Sequence, residues 1–249
     1  MSLTAERPDP TAPVVPSTHH GDRFVASALL VTAALLVTYQ LLAGHVIPPL
    51  AIFAVLTAVL GSLTWRRRAR WLLALDALVA GLYLIGSVPF LAANLAHPES
   101  PVSFLAEVFL VLALATVLVG VTLRWRGAGD RARRVSVIGV GSIAAIAVIV
   151  SLAATANVDA DARQDGDVAI VTERSIWPAE VTVPAGASAL WVDNSDPFHH
   201  TFLIDGTDVR EVLPAGSSVR IPVDLEEGEH RFWCDVPGHE AMEGVLHVR

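Results

Sequence analysis

The chain has 249 residues, 53% of them hydrophobic and only 17% charged, with a mean hydropathy of +0.54. That balance argues against an ordinary soluble domain and for a membrane-embedded portion. The formal net charge of −8 hides a division: residues 157–249 hold 18 acidic side chains against 6 arginines, whereas residues 1–156 hold 7 against 11. An acidic C-terminal part argues against nucleic acid as its partner.

In chain order, residues 1–22 are proline-rich and poor in bulky apolar side chains, the composition of a disordered tail in which His19 and His20 carry no special meaning. Five apolar stretches follow. About 20 apolar residues are needed to cross about 30 Å of hydrocarbon, and Phe24–Ala43, Ile47–Trp65, Trp71–Asn94, Phe104–Leu123 and Val135–Ala156 each meet or approach that length. Residues 23–156 are thus expected to form a five-helix transmembrane domain.

Arginine placement orients it. Arg66, Arg67, Arg68 and Arg70 form one basic connection, and Arg124, Arg126, Arg131, Arg133 and Arg134 form another, whereas the connections at 44–46 and 97–103 carry none. Basic connections face the cytoplasm under the positive-inside tendency. The N-terminal tail is then cytoplasmic, the fifth helix exits outward, and, after a linker at 157–166, residues 167–249 form an extracytoplasmic domain. The first apolar run is long and lacks a clear small-residue cleavage site, which favours a retained helix over a signal peptide.

Two carboxylates fall within the apolar stretches, Asp76 and Glu107. A carboxylate inside a membrane is costly and by default marks a proton or ion path. The competing reading, favoured here, has Asp76 snorkelling toward or pairing with the arginine cluster and Glu107 lying near the outer interface. His45 and His97 sit near outer helix ends, where they can approach the C-terminal domain. No pair of deep histidines suits bis-imidazole haem ligation.

From Asp167 onward, short alternating runs are punctuated by turn residues: Val168–Thr172, Glu180–Val183, Ala189–Val192, Thr201–Ile204, Ser218–Val223, His230–Cys234 and Gly244–Val248. This spacing predicts an all-β Greek-key sandwich.

The closing segment carries the chemistry. Cys234 is the one cysteine of the chain, so no intramolecular disulfide forms, and an extracytoplasmic thiol is protected by burial or by a metal. Cys234 ends a strand, His239 follows five residues on and Met242 three beyond that, around Pro237-Gly238. A thiolate, an imidazole and a weak thioether suit copper, and one further histidine, from His199-His200, completes a trigonal His₂Cys set with a long axial Met. Zinc usually draws on several thiolates and rarely on methionine, and a dinuclear copper centre needs two bridging cysteines.

Residues 167–249 resemble the cupredoxins, the blue-copper family. Asn194-Ser195-Asp196-Pro197-Phe198-His199-His200-Thr201-Phe202 looks like the family's first-histidine segment, and the resemblance assigns the ligand role to His200. Cys234, His239 and Met242 match the family's C-terminal ligand loop. The resemblance implies one type 1 copper; four protein ligands leave no open position for substrate, so one-electron transfer rather than catalysis is expected, with a redox protein as partner and His239, on a loop at the sandwich end, as the electron port. Asn194 is expected beside the first ligand, hydrogen-bonding the thiolate. Copper storage or delivery is the alternative function, against which the scarcity of methionine speaks; a copper oxidoreductase would need a second copper with open-faced histidines.

Overall fold

The computed structural model describes residues 19–67, 69–172 and 174–249. The tail expected at 1–22 therefore lies mostly outside the described residues.

Among the described residues six helices come first: α1 (His19–Ala43), α2 (Pro48–Arg66), α3 (Arg70–Gly86), α4 (Val88–Leu95), α5 (Pro101–Trp125) and α6 (Asp130–Thr155). Proline opens α2, α4 and α5, where its fixed φ is pre-set for a helix and its missing N–H costs nothing. Among the described residues, α1, α2, α5 and α6 are each long and apolar enough to cross a membrane. The expected third span, Trp71–Asn94, is instead two helices, α3 and α4, bent by 60°. Pro89 accounts for the break, since its ring removes a backbone donor and clashes with the carbonyl four residues back. Among the described residues the candidate spans number four, or five if the bent pair is one.

The bundle closes around Leu29, Leu36, Leu72, Leu114 and Val117, all with no exposed surface. Glycines let α1 approach its neighbours: a Cβ on Gly120 would stand 2.8 Å from the Val25 side chain, and one on Gly61 3.1 Å from the Ala26 carbonyl oxygen. Helix α6 buries only Ala147 and Ser151 and lies at the periphery. Among the described residues Asp76 makes no ion pair with an arginine of the cluster. It is fully buried, its Oδ2 accepts a hydrogen bond from Thr64 Oγ1 at 2.8 Å, and Oδ1 has no partner among the described residues. Six residues past Arg70 is about 9 Å along a helix, and its carboxylate meets α2 instead of the arginines. Glu107, also buried, lies nearly two turns into α5 from its N-terminal end, with Oε2 accepting from Asn94 Nδ2 at 3.3 Å.

Eight strands follow: β1 (Val168–Thr172), β2 (Glu180–Val183), β3 (Gly186–Asn194), β4 (His200–Ile204), β5 (Arg210–Leu213), β6 (Ser218–Leu225), β7 (Gly228–Trp233) and β8 (Glu243–Val248). Two sheets form, in the orders β1-β3-β6 and β2-β8-β7-β4-β5. β1 runs parallel to β3 and β2 to β8, while the other pairs are antiparallel. β5 is the strand the alternation pattern misses: it is an edge strand that buries only Leu213, so its sequence carries little of the period-two signal.

The core between the sheets gathers Ile170, Leu190, Val192, Phe202, Ile204, Phe232 and Leu246 around Trp177. Trp177 meets Phe202 edge-on at 5.6 Å and Phe232 at 6.1 Å between ring centroids. The stretch expected as a linker is packed down. Asp161 takes the indole N–H of Trp191 at 2.8 Å on its carbonyl and the Arg220 backbone N–H at 2.8 Å on its carboxylate.

Candidate metal centre

Three loops meet at one end of the sandwich. The first, between β3 and β4, is shaped by Asn194, whose amide donates to the carbonyls of Phe198 at 2.8 Å, Leu213 at 3.0 Å and Pro214 at 2.9 Å, while its Oδ1 accepts from Asp196 N at 3.0 Å. Asn194 therefore ties two loops together and makes no bond to the thiolate, contrary to the expectation from its position. With four partners around one buried amide, none of its hydrogen-bonding capacity remains for sulfur.

The loop between β7 and β8 closes on itself. Cys234 N–H donates to the Met242 carbonyl at 3.0 Å, His239 N–H to Val236 at 3.0 Å and Met242 N–H to His239 at 2.8 Å. Gly238 turns this loop at φ +91°, a conformation that only glycine adopts without strain.

These loops bring three ligand atoms into a triangle. His200 Nδ1 and His239 Nδ1 are 3.1 Å apart, and Cys234 Sγ lies 4.0 Å from the first and 3.8 Å from the second. Among the described residues this is the one group of three or more His, Cys, Asp or Glu donors close enough to share an ion. Two imidazole nitrogens each about 2.0 Å from one metal, and opening an angle slightly above a right angle, stand about 3 Å apart, so the spacing fits a common ion. Met242 is 2% exposed and belongs to the same buried cluster as Cys234. A thiolate, two imidazoles and a nearby thioether are the donor set that suits copper.

The surroundings favour the forms that bind metal. Burial pushes the Cys234 thiol up, but His200, His239 and the Thr201 backbone N–H and hydroxyl favour the thiolate more strongly and hold it at about 5. Thr201 N–H donates to Sγ at 3.4 Å, and its hydroxyl lies 3.5 Å from Sγ while donating to Asp235 Oδ1 at 2.7 Å. Asp235 in turn is bound by Arg210.

His200 is held from behind by Asp196. Its Nε2 lies 3.0 Å from Asp196 Oδ2, which fixes the proton on Nε2 and leaves Nδ1 free for a metal. Burial would raise the Asp196 carboxyl, but the bonds from His200, Ser175 and Thr172 outweigh it and hold it at about 2. Arg174 N–H and Ser175 N–H donate to this carboxylate at 2.7 and 2.8 Å, and Thr172 Oγ1 at 3.0 Å. Both Arg174 and Ser175 have positive φ, 55° and 56°, so successive amides point inward as an anion nest. Along the sequence Asp196 stands out only as part of the segment that precedes His200. Its one visible signal was an acid four residues before a candidate ligand.

Sequence matching agrees on what this domain is. A family model described as a cupredoxin-like domain matches residues 142–248, beginning within α6. Residues 142–248 are a cupredoxin-like domain. The cupredoxin-like fold is associated in general with copper binding and electron transfer, and its placement at the C-terminus is the one expected from the ligand loop.

Several solved structures are similar to the cupredoxin-like domain. A reduced tryptophan-to-tyrosine mutant of amicyanin shows 17% identity, covering 38% of this chain and 88% of that one, with a TM-score of 0.29. The metal-binding domain of the Cu(I)-exporting P-type ATPase CopA of Streptococcus pneumoniae, with Cu(I), shows 18%, covering 35% and 91%, with a TM-score of 0.30. A copper-containing nitrite reductase of Thermus scotoductus shows 20%, covering 37% of this chain and 24% of that one, with a TM-score of 0.29. Among curated proteins there is no match.

Proposed function

We propose that this chain is a membrane-anchored type 1 copper protein that carries one electron at a time on the extracytoplasmic face. The observation that carries the reading is the triangle of His200 Nδ1, His239 Nδ1 and Cys234 Sγ, with every side no longer than 4.0 Å. Three protein ligands plus a buried Met242 leave no open position for a substrate, and a ligand set held by Asp196 and Thr201 needs little rearrangement between Cu(I) and Cu(II). Both features suit electron transfer over catalysis. Copper supplies the redox change; the chain supplies the ligands, their protonation states and the docking surfaces.

Membrane anchoring rests on the four long apolar helices and the bent pair, and the orientation on the arginines at 66–70 and 124–134. A bilayer and a redox protein are the partners this reading requires, and nucleic acid is not among them, since the domain is acidic.

The test is an absorption spectrum of the copper-loaded, oxidised full chain in detergent. An intense thiolate-to-copper band in the visible, lost in Cys234→Ser, with one copper per chain, is the expected result. A colourless protein that retains zinc, or a ratio well above one, would overturn it.

A further inference from the structure

The copper end of the sandwich rests on the outer end of the helical half, and this junction is polar. His199, adjacent in the chain to the ligand His200, is 2% exposed. Its ring stacks on that of His97, 4.6 Å between centroids at 31°, and its Nδ1 lies 3.4 Å from Ser103 Oγ. His97 Nδ1 in turn meets Glu99 Oε1 at 2.8 Å. Ala215 N–H donates to Ser100 Oγ at 3.0 Å, and Phe198 packs on Tyr39 at 5.3 Å.

The polar column continues downward. Ser103 and Glu107 are four residues apart on α5, so they share one face. Glu107 Oε2 is held by Asn94, but its Oε1, buried in a residue only 8% exposed, has no hydrogen-bond partner among the described residues. An orphaned buried carboxylate oxygen is costly, and a donor hydroxyl in reach would relieve it. Above it stands the His97–Glu99 pair, able to take a second hydroxyl proton toward the outer surface. A lipid-soluble molecule with two hydroxyl groups and electrons to give matches this arrangement.

We propose that the junction between Glu107 and His97 receives a lipid-soluble hydroquinone, and that its electrons reach the copper through the His97–His199 contact and the His199–His200 peptide. The inference rests on the type 1 copper reading. Two O–H bonds of the hydroquinone break, one proton going to Glu107 and one to the His97–Glu99 pair. Its two electrons leave in successive steps, each reducing the single Cu(II) to Cu(I), with the protein acceptor reoxidising the copper between them, and the product is the quinone. His239, half-exposed on the loop above, remains the exit toward a protein acceptor.

Two measurements on the full chain in liposomes test this. In stopped flow, decylubiquinol should bleach the copper band of the wild type, and His97→Leu and Glu107→Gln should slow that bleaching at least tenfold while leaving the band and its reduction by water-soluble ferrocyanide unchanged. In copper-free protein, a photoactivatable azidoquinone should label peptides containing Tyr39, Asn94 or Glu107, with labelling cut in Glu107→Gln. Labelling confined to the lipid-facing groove of Phe24, Val31, Phe109 and Val140, or decylubiquinol rates that ignore both substitutions, overturns the proposal. A protein bleached by ferrocyanide but not by decylubiquinol also refutes the junction site while leaving the copper reading intact; absence of the band refutes the latter.

Discussion

Asp196 Oδ2 lies 3.0 Å from Nε2 of His200, so the buried imidazole of this proposed ligand is backed by a carboxylate that is itself anchored by two backbone amides and a threonine hydroxyl. A carboxylate behind a ligating histidine raises its basicity and stabilises the more highly charged metal state. Asp196→Asn keeps the shape and removes the charge. It is expected to raise the reduction potential by on the order of 60 mV, a tenfold change for a one-electron couple, and to weaken metal binding about 10–100-fold. Redox titration of the copper band and competition with a chelator measure the two effects; an unchanged potential would show that the charge is fully screened.

Thr201 presents two groups to the thiolate and also ties Asp235, which accepts from its hydroxyl and donates its backbone N–H back at 2.9 Å. Thr201→Ala removes the hydroxyl but keeps the backbone donor to sulfur. Loss of one such buried bond costs about 1–3 kcal/mol when its partner is left unsatisfied. Chemical denaturation should register that loss, and the visible band should shift without disappearing. If the variant were colourless, the hydroxyl would have to be necessary for metal binding, contrary to this account.

Gly244, next to the ligand loop, has no room for a side chain: a Cβ there would overlap the Pro178 carbonyl oxygen and the Phe232 ring. The obstacle is partly backbone and cannot swing aside. Gly244→Ala is expected to destabilise the domain by about 1–3 kcal/mol, the usual penalty for overpacking a core, seen as a lower thermal midpoint. Equal midpoints for wild type and variant would mean that β8 can shift freely at this position.

Acid sensitivity has a definite sign at the foot of the domain. Asp167 receives Arg220 Nε and Nη2 at 3.0–3.1 Å, and the Arg220 hydrogen bonds, followed by the Gln164 amide, hold its carboxyl below the usual range. A carboxyl lowered in the folded state stabilises the fold above its unfolded pKa of about 3.9, and that stability is lost as pH falls through the lower folded value. Arg220→Gln should therefore flatten the acid limb of the stability curve below about pH 4. Denaturation followed from pH 7 downward checks it, and an unaltered acid limb would assign the sensitivity to other carboxylates.

The proposed ligand set could be read along the chain because three of its four members fall within nine residues around one turn, and because Cys, His and Met together have few uses besides copper. Apolar length likewise marked the helices. Other features depended on partners distant in sequence. Asp196 is anchored by amides 21 and 22 residues upstream, and Thr201 reaches the sulfur of a residue 33 positions on. Asn194 is drawn away from the sulfur by carbonyls of the β5–β6 loop. His199, which strand parity would simply turn away from the ligand, meets a helix-end residue 102 positions earlier only because the domain sits on the bundle.

Residue chemistry and local periodicity thus determined by themselves that apolar helices precede a β-sandwich whose last loop offers a soft metal site, since both signals are short-range properties of side chains. The bend at Pro89, the carboxylate behind His200 and the polar junction around His97 and Glu107 were decided only in three dimensions. Which distant groups become neighbours depends on how the packed elements close against one another.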